Sequence, residues 1–290
     1  MAGFTTVRDL GTEGALYADA GLRQAINTGI IPGPRYLIAS KAIVATGSYA
    51  PARPNYAYDT PLGADEADGP TLQRVVRDQI GHGADWIKLY GDYRWGPHGE
   101  GRPTFSEDEM KLAAETAHDS GREMVVHAST VEGMRRAAEA GARTIEHGDE
   151  GNFEVFSLMK KKGTGYCPTL AAAEANERYR GWKKGTDPIP ARLREKHESF
   201  AAALKAGVIM IRATSLVTGG LRKRSTRLGS NCVPRPFSMI FWAVSSERAA
   251  LYARASVTAS NVSAIATMRA SNGMAEPRNP RGYPLPSHRS

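Results

Sequence analysis

The sequence is short of several things, and each shortage is localised. Cys167 and Cys232 are the only cysteines, and they stand far apart with no CxxC or Cys/His cluster around them. That spacing excludes a disulfide framework and a thiolate metal site. No apolar run approaches the roughly 20 residues that a membrane span needs. The opening MAGFTTVRDLGTEG has neither the basic region nor the apolar run of a signal peptide. A soluble, cytoplasmic protein with no membrane partner is expected. Histidine is missing before His82, and aspartate is missing after Asp187.

Acids are nearly missing from the last part of the chain. Residues 212–290 hold 12 Lys and Arg against two acids, Glu247 and Glu276, whereas residues 1–211 hold 26 bases and 28 acids. The formal charge of +8 is therefore a property of the tail, and the near-neutral body has no footprint for a polyanion. No recognised motif or aromatic platform accompanies the basic tail, so no nucleic-acid partner is expected.

What is present is an alternation of β-rich runs and amphipathic stretches, the pattern of a parallel α/β fold. Seven runs qualify as strands: residues 4–10, 35–45, 85–91, 122–129, 142–148, 163–171 and 207–211. The stretch FSEDEMKLAAETAHDSG opens on a capping box, Ser106 with Glu109, and stops at Gly121. VEGMRRAAEAGA and ARLREKHESFAAALKAG also close on glycine. Residues 46–70, rich in Pro, Gly and Asp, read as a long loop at a strand's C-terminal end, where barrel active sites are built. Seven strands are one short of a (β/α)8 barrel. The alternative, a doubly wound sheet, lacks its glycine-rich fingerprint after the first strand.

Lys88 interrupts the apolar run DWIKLYG. Burying an unpaired ammonium is costly, so the position is a strand end, a charge paired with an acid such as Asp92, or a lysine used for chemistry. His127 in VVHAST and His147 in IEHGDE close two later strands. In a barrel such strand ends converge on one rim. Tyr90, Tyr93 and Arg94 follow Lys88 into the rim loop, where they could hold a substrate carboxylate. His82 reads as a cation at a helix C-terminus, His98 as a loop residue, His118 and His197 as outer-surface residues, and Cys167 as a small buried residue.

Lysine, histidine and histidine on successive strands, within ADWIKLYGDYRWGP, VVHAST, GARTIEHGDEG and CPTLAA, resemble the amidohydrolase superfamily. Within it, these stretches look like the imidazolonepropionase and Xaa-Pro or Xaa-Arg dipeptidase branch. The resemblance covers residues 1 to about 211. It implies a TIM barrel that hydrolyses carbon–nitrogen bonds of amides, dipeptides or cyclic amides with a metal-activated hydroxide. It also implies Lys88 carboxylated by CO2 and bridging divalent metals, with zinc as the expected metal and His127 and His147 as further ligands. A homo-oligomer is compatible with it.

Two family features are missing. The His-x-His pair of the first strand is absent, so the chain reads as opening at the second strand. The aspartate of the eighth strand, general base and acid for the water, is absent as well. AGVIMI begins in the family's style but continues RATSLVTGGLRKRS. The genetic code allows Arg-Ala-Thr-Ser to hide Arg-Asp-Val, and Val-Thr-Gly to hide His-Gly, in a frame displaced by two bases. The expectation is a partial barrel over 1–211, followed by a divergent basic tail over 212–290, out of frame or disordered, in an impaired enzyme. The alternatives are an inactive barrel that binds a partner through its tail, or a lyase using Lys88 as a Schiff-base amine.

Overall fold

A computed structural model describes residues 4–49 and 63–211, together with the backbone of two short strands beyond them. The chain begins with β1 (Thr6–Asp9), α1 (Ala18–Asn27), β2 (Arg35–Ile38), β3 (Ala42–Val44), β4 (Ala64–Glu66) and α2 (Gly69–Gly81). It continues with β5 (Trp86–Tyr90), the small hairpin β6 (Asp92–Tyr93) and β7 (Arg102–Pro103), α3 (Glu107–His118), β8 (Glu123–Ala128) and α4 (Val131–Glu139). Then follow β9 (Thr144–His147), α5 (Phe153–Lys162), β10 (Gly165–Cys167), α6 (Leu170–Tyr179) and α7 (Ala191–Ala206). The last strands are β11 (Ala213–Ser215) and β12 (Ile240–Trp242), a parallel pair.

One six-stranded sheet runs β10-β9-β8-β5-β3-β4, parallel throughout, and β1 pairs with β2 in parallel beside it. The sheet is curled. Arg8 on β1 reaches Glu146 on β9 at 2.8 Å, a contact that a flat sheet would forbid between strands so far apart. Alternation sorts the side chains of each strand between two environments. Ile87, Leu89, Met124, Val126, Ala128 and Ile145 face out and pack against helix residues such as Leu72, Val76, Met110 and Phe156. Each of the Ile, Leu, Val, Met and Phe side chains, fully withdrawn from water, contributes about 1.5–3 kcal/mol. Leu10, Ala39 and Val125 face in, beside Trp86.

The helix signals hold. Ser106 Oγ accepts from Glu109 N at 3.2 Å while Glu109 Oε2 accepts from Ser106 N at 2.8 Å. α7 stops at Gly207, whose φ of 68° is open to glycine at little cost. Three expectations need correction. Residues 35–45 form two strands, because Ser40 adopts φ 61° between β2 and β3, so that β2 pairs with β1 and β3 with β4. Residues 46–70 are not all loop, since β4 and the start of α2 lie within them; residues 50–62 fall outside the description. Residues 207–211 give one parallel bridge, Met210 to Tyr166, in place of a full strand.

Candidate active site

The strand register brings the chemistry to one end of the arc. Tyr90 pairs with His127, His127 with Glu146, and Ala128 with His147. On β5 the inward residues are Trp86, Lys88 and Tyr90, and on β8 they include Val125 and His127. Glu146 takes the inward position on β9, so His147, next in sequence, would face away in a regular strand. Its φ of 76° turns the chain there and re-aims the ring. The His127 and His147 centroids stand 4.6 Å apart, edge to face.

Lys88 is fully buried, and its Nζ has no hydrogen-bond partner. Asp92 does not pair with it, contrary to one expectation. That carboxylate instead accepts from Ser129 N at 2.9 Å and from Thr130 N and Oγ1 at 2.7 Å, where it fastens the entry to α4. Burial pushes the Lys88 ammonium down to about 8, against the opposing pull of Glu146. Burial also holds both imidazoles well below the usual histidine range, helped for each by the positive charge of Lys88. His127 Nδ1 is buried without a partner, and Nε2 lies 3.8 Å from Asp92 Oδ1. His147 Nδ1 lies 2.8 Å from Thr169 Oγ1.

The His147 turn is held from behind. Tyr166 Oη donates to His147 O at 2.9 Å, and Ser199 Oγ donates to Gly148 O at 2.6 Å. Lys196, buried on α7, donates to His147 O and to Asp149 Oδ1, the latter at 2.7 Å. Below the rim, Glu146 Oε1 accepts from Arg8 and from Thr144 Oγ1, both at 2.8 Å. Among the described residues, five that are not glycine have positive φ: Glu13, Leu16, Ser40, His147 and Thr169. Three of them, Glu13, His147 and Thr169, follow or end strands at this mouth, and strain of this kind gathers at functional sites.

Tyr90 is buried and stacks on His127 at 4.6 Å; Tyr93 is half-buried with its centroid 6.3 Å from His127; Arg94 is exposed in the following loop. Tyr49 completes an aromatic group, 5.2 Å from Tyr90 and 5.1 Å from Tyr93. Its hydroxyl donates to Glu13 Oε2 at 2.8 Å, and that of Tyr90 to Glu13 Oε1 at 3.3 Å. His82 caps α2 and bonds to Asp78 O, His98 lies in the β6–β7 loop, and His118 and His197 are exposed on helices, away from the cluster.

The donors fit a divalent ion in kind. Two imidazoles kept neutral by burial offer lone pairs, and a partnerless buried amine with a depressed pKa is suited to reaction with CO2, which needs the neutral amine. Among the described residues, no group of three or more His, Cys, Asp or Glu side chains converges at ligand spacing. Lys88 would have to supply the third donor as a carbamate.

A sequence model of the amidohydrolase family matches residues 1–271. The chain belongs to the amidohydrolase family. Ochratoxinase of Aspergillus niger is 29% identical over 239 residues, 75% of this amidohydrolase and 49% of the relative. The crystal structure of A. niger ochratoxinase superposes with TM-score 0.58 and 28% identity, covering 72% of this chain and 52% of that one. A Xaa-Pro dipeptidase with bound methionine in its active site superposes with TM-score 0.60 and 33% identity, covering 72% and 54%. The arc of parallel strands with helices outside is the TIM-barrel architecture of this family. The chain spans about half the length of the curated relatives it matches.

Proposed function

We propose that this amidohydrolase derives from a metal-dependent hydrolase of carbon–nitrogen bonds in dipeptides or other amides of amino acids. The observation that carries the reading is the convergence of Lys88, His127 and His147 at one mouth, with Lys88 Nζ and His127 Nδ1 buried and partnerless. Native proteins seldom leave such atoms unmatched without a use for them. Lys88, once carboxylated, His127 and His147 would hold a divalent ion such as zinc. Such an ion, when bound, polarises a carbonyl and lowers the pKa of water.

The chain's own residues have separate tasks. Burial keeps the imidazoles unprotonated at neutral pH, so their nitrogens are available as donors. Lys196, Tyr166 and Ser199 hold the turn that aims His147. Tyr90 and Tyr93 wall the mouth, and exposed Arg94 meets the substrate carboxylate by a bidentate contact. The names of the neighbours, a Xaa-Pro dipeptidase and an ochratoxinase, support an amide between a carboxylate and an amino acid as the bond cleaved.

This chain works poorly in that role. It carries no histidine before His82 and no aspartate after Asp187, so a first-strand His-x-His and a late proton-shuttling aspartate are not in it. The purified 290-residue chain, incubated with zinc and bicarbonate, is expected to hold at most one zinc, weakly, and to cleave Xaa-Pro dipeptides barely above background. Zinc content after gel filtration, with and without the Lys88→Ala change, measures this. Two tightly held zinc ions and ordinary hydrolase rates would overturn the impaired reading.

A further inference from the structure

Glu13 lies in the loop after β1, at the mouth of the arc, in a left-handed conformation with φ 47°. A glutamate gains nothing locally from that geometry, which glycine adopts more readily. What the turn accomplishes is placement. One carboxylate oxygen takes the Tyr49 hydroxyl at 2.8 Å, and the other takes the Tyr90 hydroxyl at 3.3 Å. Neither partner carries a positive charge, and an ionised carboxylate has about four acceptor positions, so half remain open. Glu13 is exposed, so those positions are open to solvent and to a ligand.

The connection to the reacting centre is short. Tyr90, which holds Glu13 at its hydroxyl, stacks its ring on His127 at 4.6 Å. Tyr49 and Tyr93 place further ring edges and faces beside the same carboxylate, and aromatic faces favour a cation. Arg94, exposed in the loop that follows Tyr93, supplies positive charge. The opening therefore presents an anion bordered by aromatic rings, one of which stacks on the nearer imidazole.

From this geometry we infer that Glu13 receives the free α-ammonium of a dipeptide, which makes the site selective for substrates with an unblocked N-terminus over N-acylated amino acids. The inference rests on the dipeptide reading above and narrows it. It separates two substrate classes that share the same scissile amide.

The test is titration calorimetry of the 290-residue chain, with zinc present, against Met-Pro and N-acetyl-Met-Pro. Chromatography checks that each peptide stays intact, and KM ratios replace Kd ratios where it does not. Met-Pro is expected to bind on the order of tenfold more tightly than its acetylated form, the value of one charge-assisted contact at a partly wet site. Glu13→Gln keeps an oxygen for a tyrosine hydroxyl and removes the charge. It should weaken Met-Pro to the level of N-acetyl-Met-Pro while leaving the acetylated peptide unchanged. Equal binding of the two peptides by the unsubstituted chain, or a preference that survives Glu13→Gln, overturns the assignment of Glu13 and leaves the dipeptide reading standing. Binding of neither peptide overturns both.

Discussion

An ammonium walled into a barrel interior works against folding. Lys88 is fully buried, and its pKa falls from 10.5 to about 8. Below pH 8 the folded chain must hold a charge that water would solvate better, a cost on the order of 3 kcal/mol at 1.36 kcal/mol per unit. Between about pH 8 and 10.5 the unfolded chain binds more protons, so stability rises with pH across that window. In protein stripped of metal and CO2, Lys88→Met is therefore expected to be stabilising at pH 7 by up to that amount. The gain should vanish near pH 10.5, as urea denaturation at the two pH values would reveal. A destabilised Met variant at pH 7 would mean that Lys88 is matched in some other way. Lys88, His127 and His147 were legible in the sequence because a charge or an imidazole inside an apolar run is conspicuous. Glu146, in the run ARTIEHG, gave the same signal and went unassigned. Lys196 gave none, because a lysine on an amphipathic helix reads as solvated, and only the packing of α7 against the β9 turn reveals it as buried.

Elements meet through a few polar joints, and two of them lend themselves to measurement. Asp19, in the first turn of α1, accepts from Ser40 N at 2.8 Å and from Ser40 Oγ at 3.2 Å, which anchors the helix to the break between β2 and β3. Burial, and then the charge of Asp9, raise its carboxyl to about 6. The folded chain thus binds the extra proton between pH 3.8 and 6, and the stability associated with that proton is lost as pH rises through 6. Asp19→Asn removes this slope, so its stability relative to the parent should improve by on the order of 3 kcal/mol from pH 4 to pH 7. Parallel denaturation series for the two proteins would expose an unchanged difference. The break itself was not legible. RYLIASKAIVA contains no glycine or proline, and a serine held at φ 61° by a distant aspartate leaves no local trace.

The second joint is Lys196, which ties α7 to the turn bearing His147. Lys196→Met leaves His147 O and Asp149 without their cation, and a loss of about 2 kcal/mol is expected, tempered because Asp149 is one-third exposed. Supports of this kind are worth about 10–100-fold in metal affinity. Cobalt titration followed by its visible spectrum should therefore weaken by that factor in Lys196→Met, and by less in Ser199→Ala. Unchanged cobalt affinity would separate the fold of this turn from its chemistry.

At the scale of the molecule, the parallel arc was legible because hydrophobic alternation survives from strand to strand as far as residue 211. Beyond it, acids and helical periodicity fade together, although the family match continues to residue 271. Sequencing the gene through codon 290 and translating every frame decides what that means. A displaced frame reading Asp-Val and then His-Gly after codon 211 is expected. A restored chain carrying them should gain zinc and dipeptide turnover. A single intact frame with no such codons would make the basic tail authentic and favour a barrel that binds without catalysing.

Cys167 closes β10 on the inside of the arc, with no exposed surface and a thiol pushed up by burial and by the charge of Glu146. A thiol so placed is invisible to alkylating reagents while the barrel is shut. With Cys232 replaced by serine, the rate at which Cys167 is labelled becomes a stopwatch on opening of the strands around it. Run with and without zinc, that clock reads out whether an ion at the rim locks the barrel, with no substrate and no turnover required.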